Sequence, residues 1–191
     1  MGLFDLGSLK KEPSDQTDGS LILKERFLQE HLYKVETIKQ LVGTLPLEGE
    51  IFCIWTLNSF NAFTFIPFMI KQQGEIEELI ISTYSISSRI LHSIINYLDK
   101  GRILKIHITI SDSIKFRMPK VHEQLEVLCR RPEFSASYTW NHSKVTLMKT
   151  SEGHFIVEGS GNFSENAQYE QYMFIQSGRI YNFRKSCILN N

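Results

Sequence analysis

The chain has 191 residues, enough for one well-buried core and too few for two domains of ordinary size. Lys plus Arg and Asp plus Glu balance at 21 each, so no whole-molecule field attracts polyanions and any phosphate or nucleic-acid site must be local. Cys53, Cys129 and Cys187 have neither zinc-site spacing nor the pattern of a disulfide framework, and they read as reduced core thiols. The opening residues carry no cationic segment followed by an apolar run and a small-residue cleavage site, which makes the cytoplasm the expected location. "MGLFDL" has the glycine for N-myristoylation, but Leu6 stands where that signal wants a hydroxyl.

In chain order, residues 8–20 are polar, rich in turn formers and without periodicity, and 1–22 are expected to form a flexible segment. Residues 23–44 predict an amphipathic helix: Phe27, Leu28, Leu32, Val35, Ile38 and Leu41 step by three or four, and Gly43 offers a stop. That stripe suits packing either on the chain's own core or on a partner subunit. The apolar run "IFCIWTLNSFNAFTFIPFMI" contains Asn58, Ser59, Asn61, Thr64 and Pro67, groups that lipid would leave unpaired, so it reads as a buried strand leading into a helix. Next come "ELIISTYS" as a strand, "SSRILHSIINYLDKG" as a Ser-capped helix closed by Gly101, "ILKIHITIS" as a strand, and a helix over about 113–131. After Pro132 the pattern turns to strands, "FSASYTWNHSKVTLMK", "HFIVEGS" and "QYMFIQS", before a short helix near 178–188. Alternation of strands and helices predicts an α/β sandwich, a mixed, largely parallel sheet with helices on both faces.

One stretch departs from this ordinary pattern: "HSKVTLMKTSEGHFIVEGSGNFSENAQYE", residues 142–170. His142 and Lys144, two apart in a run that reads as a strand, leave the same face, which fits a plain exposed surface as well as a site. Gly159 to Asn162, "GSGN", places two glycines, a hydroxyl and an amide at a strand end, where backbone approaches a ligand closely or simply turns. Glu170 sits in an otherwise aromatic and apolar strand, and a carboxylate there needs a partner. An imidazole is one candidate, since a carboxylate on one ring nitrogen fixes the tautomer and strengthens the other as a nucleophile. His107 and His154 belong to no such constellation. His107 is expected on a polar or edge face and His154 in an exposed turn.

Taken in order, His-x-Lys, Gly-Ser-x-Asn and Glu resemble the signature of the phospholipase D superfamily. The preceding "IEELIISTYSISSRILHSIINYLDKGRILKIHITIS" is similar to that superfamily's strand-helix-strand, and the resemblance covers roughly residues 48–190. It implies a phospholipase D-like domain over 45–191. It also implies roles: His142 attacks phosphorus and becomes a phosphohistidine, Lys144, Ser160 and Asn162 hold the phosphate oxygens, and Glu170 orients His142. No cofactor or metal is implied, because a lysine and an amide stabilise the phosphoryl charge.

The family's aspartate, separated from the lysine by four residues, is absent, and Lys149 stands at its place. About three extra residues precede Gly159, with "TSEGH" read as a longer turn. The reading is therefore a metal-independent phosphodiesterase of the single-motif, nuclease-like type, acting on DNA or RNA. With one His-x-Lys per chain, a two-fold homodimer is expected to share one site. The alternative is a catalytically impaired phospholipase D-fold subunit that binds nucleic acid or serves assembly.

Overall fold

A computed structural model describes residues 34–40, 42–56, 61–164 and 169–190. The predicted flexible segment 1–22 and the first part of the predicted helix 23–44 lie outside the described residues. Among the described residues there are seven strands: β1 (Ile51–Thr56), β2 (Glu78–Thr83), β3 (Ile106–Ser111), β4 (Phe134–Thr139), β5 (Val145–Thr150), β6 (Gly153–Gly159) and β7 (Glu170–Gln176). Helical segments are α1 (34–40), α2 (Phe65–Gln73), α3 (Ser88–Asp99), α4 (Ile114–Arg117), α5 (Pro119–Leu128) and α6 (Gly178–Leu189). The strands form one sheet in the order β1-β7-β6-β5-β2-β3-β4.

The α/β class and helices on both faces agree with expectation; the largely parallel sheet does not. Only β2-β3 and β3-β4 are parallel, and the other four pairings are antiparallel. The parallel pairs are the ones joined by helical crossovers, as geometry requires. β5 and β6 form a hairpin closed by the two residues Ser151 and Glu152, so the longer "TSEGH" turn becomes a tight one and the extra residues lengthen the strands. The β1-α2-β2 run looks like a crossover unit in sequence. Its strands nonetheless lie far apart, because β1 pairs with β7 at the opposite edge.

One face of the sheet carries the larger core. Ile81, Ile108, Phe155, Val157 and Phe174 meet Phe65, Phe68 and Met69 of α2, Ile90 and Ile94 of α3, and Leu125 of α5. Val35 and Ile38 of α1 are buried in the same cluster, and Glu36 pairs with Lys71 of α2, so this part of the helix packs on its own domain. Gly43, at φ 67°, ends the helix by donating its N–H to the Lys39 carbonyl at 2.8 Å. The helix expected over 113–131 is split at Met118 (φ −142°, ψ 59°), because the following proline drives its neighbour out of helical geometry and then serves as the first residue of α5. The three cysteines are exposed, not core thiols. On β1 the alternation sets Cys53 on the outer face, opposite the buried Ile54. Among the described residues no helix is long and apolar enough to cross a membrane.

On the other face Tyr181 and Ile188 of α6 pack on Ile80, Leu147, Ile156 and Ile175 at its centre. Polar contacts fix the helix: Tyr181 donates to Glu78 Oε2 at 2.8 Å, Lys185 reaches the same carboxylate, and Arg184 forks onto both oxygens of Glu158. Burial pushes the Glu78 carboxyl up, but donation from Lys185 and Tyr181 more than offsets this and holds it below the usual range. A carboxyl depressed in the folded state stabilises above its unfolded value of about 4.5, and the contribution is lost as pH falls through the folded value. Thermal melts should therefore show Glu78→Gln less stable than the native chain near neutrality. The difference should shrink below pH 4.5.

Candidate functional site

Strand direction alone gathers the candidate residues. β2, β3, β4 and β6 end where β5 and β7 begin, as the pairings Ser82 with Val145, Val145 with Glu158, and Gly159 with Tyr172 require. His142 and Lys144 therefore precede β5, Ser160 and Asn162 follow β6, and Glu170 opens β7, all at one end of the sheet.

His142 is not in a strand, as its sequence context suggested. It lies in the connection 140–144, held off the ladder by its neighbours. Asn141 Nδ2 donates to Ser82 Oγ (3.0 Å), the Thr83 carbonyl (3.1 Å) and the Thr109 carbonyl (3.2 Å), while its Oδ1 accepts from the Ser143 N–H at 2.9 Å. This amide ties the connection to the ends of β2 and β3, and the exposed His142 projects beyond it. Lys144 donates to the His142 carbonyl at 2.9 Å and lies 3.3 Å from its Nδ1. The two side chains do meet, but within the connection and not on the strand face the sequence suggested. The ring also lies against Tyr84, with centroids 5.1 Å apart, and Arg117 covers the Tyr84 ring at 4.8 Å.

Glu170 is 5% exposed and accepts a very short hydrogen bond from Ser160 Oγ, which in turn accepts from the Gln171 N–H at 3.1 Å. Burial lowers the Lys144 pKa below the ordinary lysine value, and the charge of Glu170 partly offsets this. Asn162 Oδ1 takes a long 3.5 Å contact from Thr83 Oγ1, which leaves its Nδ2 as the donor side. The structure thus pairs His142 with Lys144 and Ser160 with Glu170, sets Asn162 on Thr83, and couples the two pairs through Lys144 and Glu170.

The glycines of "GSGN" serve packing, not a turn with positive φ. A Cβ at Gly159 would strike the Gln171 carbonyl oxygen, and one at Gly161 would strike the Tyr172 hydroxyl. They let the end of β6 lie against the aromatic start of β7, where Tyr172 stacks on Phe65 at 5.3 Å.

Lys149 lies at the far end of β5 and pairs with Glu77 at 2.8 Å, so the motif aspartate's place has become a surface ion pair. His154, expected exposed, is half-buried against Tyr181 at 4.8 Å. His107 sits on a polar flank among Ser135, Thr109 and Ser137, and burial lowers its pKa. Sequence reasoning missed Asn141 and Arg117, since neither has a local signature and both act through contacts distant in the chain.

No family model matches the chain, and no curated relative matches it. Among solved structures it is similar to phosphatidylserine synthase from Haemophilus influenzae Rd KW20, with TM-score 0.50 and 12% identity over 71% of this chain and 36% of that one. It is also similar to polyphosphate kinase from Porphyromonas gingivalis, with TM-score 0.54 and 13% identity over 74% of this chain and 26% of that one. The chain spans about a third and a quarter of those two proteins. Both are of the phospholipase D fold, and the likeness establishes that fold for this chain.

Gly159→Ala should force β6 and β7 apart and cost about 1–3 kcal/mol, read from denaturant or thermal unfolding. Asn141→Ala should leave global stability nearer the native value. It should also raise hydrogen exchange in residues 140–144, because it removes the ties of a single connection.

Proposed function

We propose that this chain is a metal-independent phosphodiesterase with a nucleic-acid substrate, acting through a phosphohistidine on His142. The observation that carries this reading is the cationic, partly desolvated Lys144 beside an exposed imidazole, at the sheet end that also holds the Asn162 amide and the buried Glu170. The hydrogen bonds of Lys144 run to the carbonyl and ring of His142, neither of which carries negative charge. A phosphodiester oxyanion is the kind of partner such a cation takes. The two structurally similar proteins, a phosphatidylserine synthase and a polyphosphate kinase, act at phosphorus by name, in keeping with this chemistry.

The tautomer sets the order of events. An ammonium donating to Nδ1 places the ring proton on Nε2, the wrong form for attack through Nε2. An arriving phosphate draws Lys144 off the ring. The exposed ring then gives its Nε2 proton to water and takes one at Nδ1, turned toward a carboxylate, for which Glu170 is the group at hand. Nε2 attacks phosphorus, the P–O bond breaks, and Lys144 and Asn162 hold the non-bridging oxygens. The leaving oxygen needs a proton, and the chain has one His-x-Lys, so the acid is His142 of a second copy in a two-fold homodimer. The same group then removes a proton from the water that hydrolyses the phosphoramidate.

A binding subunit without turnover is the second reading. It is favoured by the Lys144 contact on Nδ1 and by the Ser160 hydrogen bond already held by Glu170.

Cleavage of labelled DNA or RNA should survive excess EDTA, vanish in His142→Ala and fall by about 100-fold or more in Lys144→Ala. Label should be trapped on the protein by a base quench and lost in acid, the behaviour of phosphohistidine. The lysine must be charged to hold the oxyanion, so substrate affinity should decline as pH rises through a value below 10.5. Lys144→Arg should remove that decline, since guanidinium stays protonated. Light scattering should give a dimer. Binding without cleavage, equal in native and His142→Ala protein, would instead establish the second reading.

A further inference from the structure

Four of the large aromatic side chains that stand in solvent lie at the sheet end holding His142. Trp140 is 95% exposed and two residues from His142, and Phe116 is 88% exposed on α4, directly after β3. Trp55 closes β1 and Tyr169 precedes β7, their rings 6.3 Å apart. An indole so fully in water has no part in the core, and α4 turns Ile114 into the core while Phe116 faces out.

Beside Trp140 the connection 140–144 walls a trough of about 560 Å³ on the α6 face of the sheet. Ser82, Thr109, Asn141, Ser143 and Arg184 line it, with Arg184 already paired to Glu158. Its other charged neighbours are few, and it is furnished mainly with hydroxyl and amide groups that both donate and accept. That lining suits a neutral, flat, hydrogen-bonding heterocycle better than a second phosphate. On the opposite side of the same connection, Phe116 adjoins Arg117, which covers Tyr84, and Tyr84 meets His142. The phosphate-handling residues thus lie between an aromatic and polar trough on one side and an aromatic and cationic rim on the other.

We propose that the substrate strand is single: an unpaired nucleobase stacks on Trp140 over the trough, and its neighbour across the scissile phosphate meets Phe116. This rests on the phosphodiester reading above and narrows its substrate class. In a duplex both faces of each base are already stacked and the edges paired, so an isolated exposed indole would gain nothing from it.

The test uses full-length protein carrying His142→Ala, so that binding is read without cleavage. Added Trp55→Phe leaves Trp140 as the sole indole, since the chain has two. Single-stranded oligonucleotides should quench the Trp140 fluorescence. The same sequence as a blunt duplex should bind more weakly, and a strand of abasic sites, which keeps every phosphate, should not quench. Trp140→Ala should weaken single-strand binding by about 5- to 150-fold with little effect on its salt dependence. Trp140→Phe should recover part of the loss.

Equal binding of duplex and single strand, or unchanged affinity in Trp140→Ala, overturns the proposal. So does conversion of a dimer to a monomer by Trp140→Ala with unchanged affinity, which would assign this surface to a second copy. Failure of the native chain to cleave, with Trp140-dependent single-strand binding intact, removes the phosphodiesterase reading and leaves this one standing.

Discussion

Burying the carboxylate of Glu170 at the head of β7 is the constraint on which the rest of this end of the sheet depends. A charge 5% exposed among Tyr172, Thr56 and the end of β6 is tolerable only with partners. Ser160 supplies a short hydrogen bond and Lys144 an opposite charge. These partners come from two other strand ends, which strand direction has brought beside the carboxylate at the start of β7. The hydroxyl of Tyr172, held neutral by burial and by the adjacent charge of Glu170, fills the space left by the missing side chain of Gly161.

The same constraint bears on chemistry. Lys144 is partly desolvated, the nearby charge of Glu170 is bonded to Ser160, and the lysine leans on the carbonyl and ring of His142. In the phosphodiesterase reaction proposed above, an oxyanion arriving there would relieve the cation and release the ring together, so that binding and activation of His142 become a single event.

The remainder of the fold holds this end still. Two parallel crossovers bring β2, β3 and β4 to finish beside the His142 connection, and Asn141 binds that connection to both β2 and β3. On the other face α6 is fastened to Glu78 and Glu158 by three side chains, leaving open the trough beside Trp140. The larger core lies on the opposite face, so the exposed aromatic rings at the sheet end are not borrowed from it.

By itself the sequence determined the local elements. β-Branched, aromatic and apolar runs marked β2, β3, β6 and β7, the Ser87 and Gly43 signals marked helix ends, and the order of His142, Lys144, Ser160, Asn162 and Glu170 marked the phospholipase D-like pattern. Those depend on residues near one another in the chain, where side-chain period and backbone preference act directly. Strand pairing was decided by tertiary structure alone. Whether β1 joins β2 or β7 rests on which apolar faces meet across more than a hundred residues, and a largely parallel sheet and a mostly antiparallel one read alike in a β-α-β pattern. The same is true of Asn141, Arg117 and the exposed cysteines, and of His142, which reads as strand yet is lifted into a connection by its neighbour's hydrogen bonds to two distant strands. Local sequence specifies conformation; these positions are set by partners that only the folded chain brings within reach.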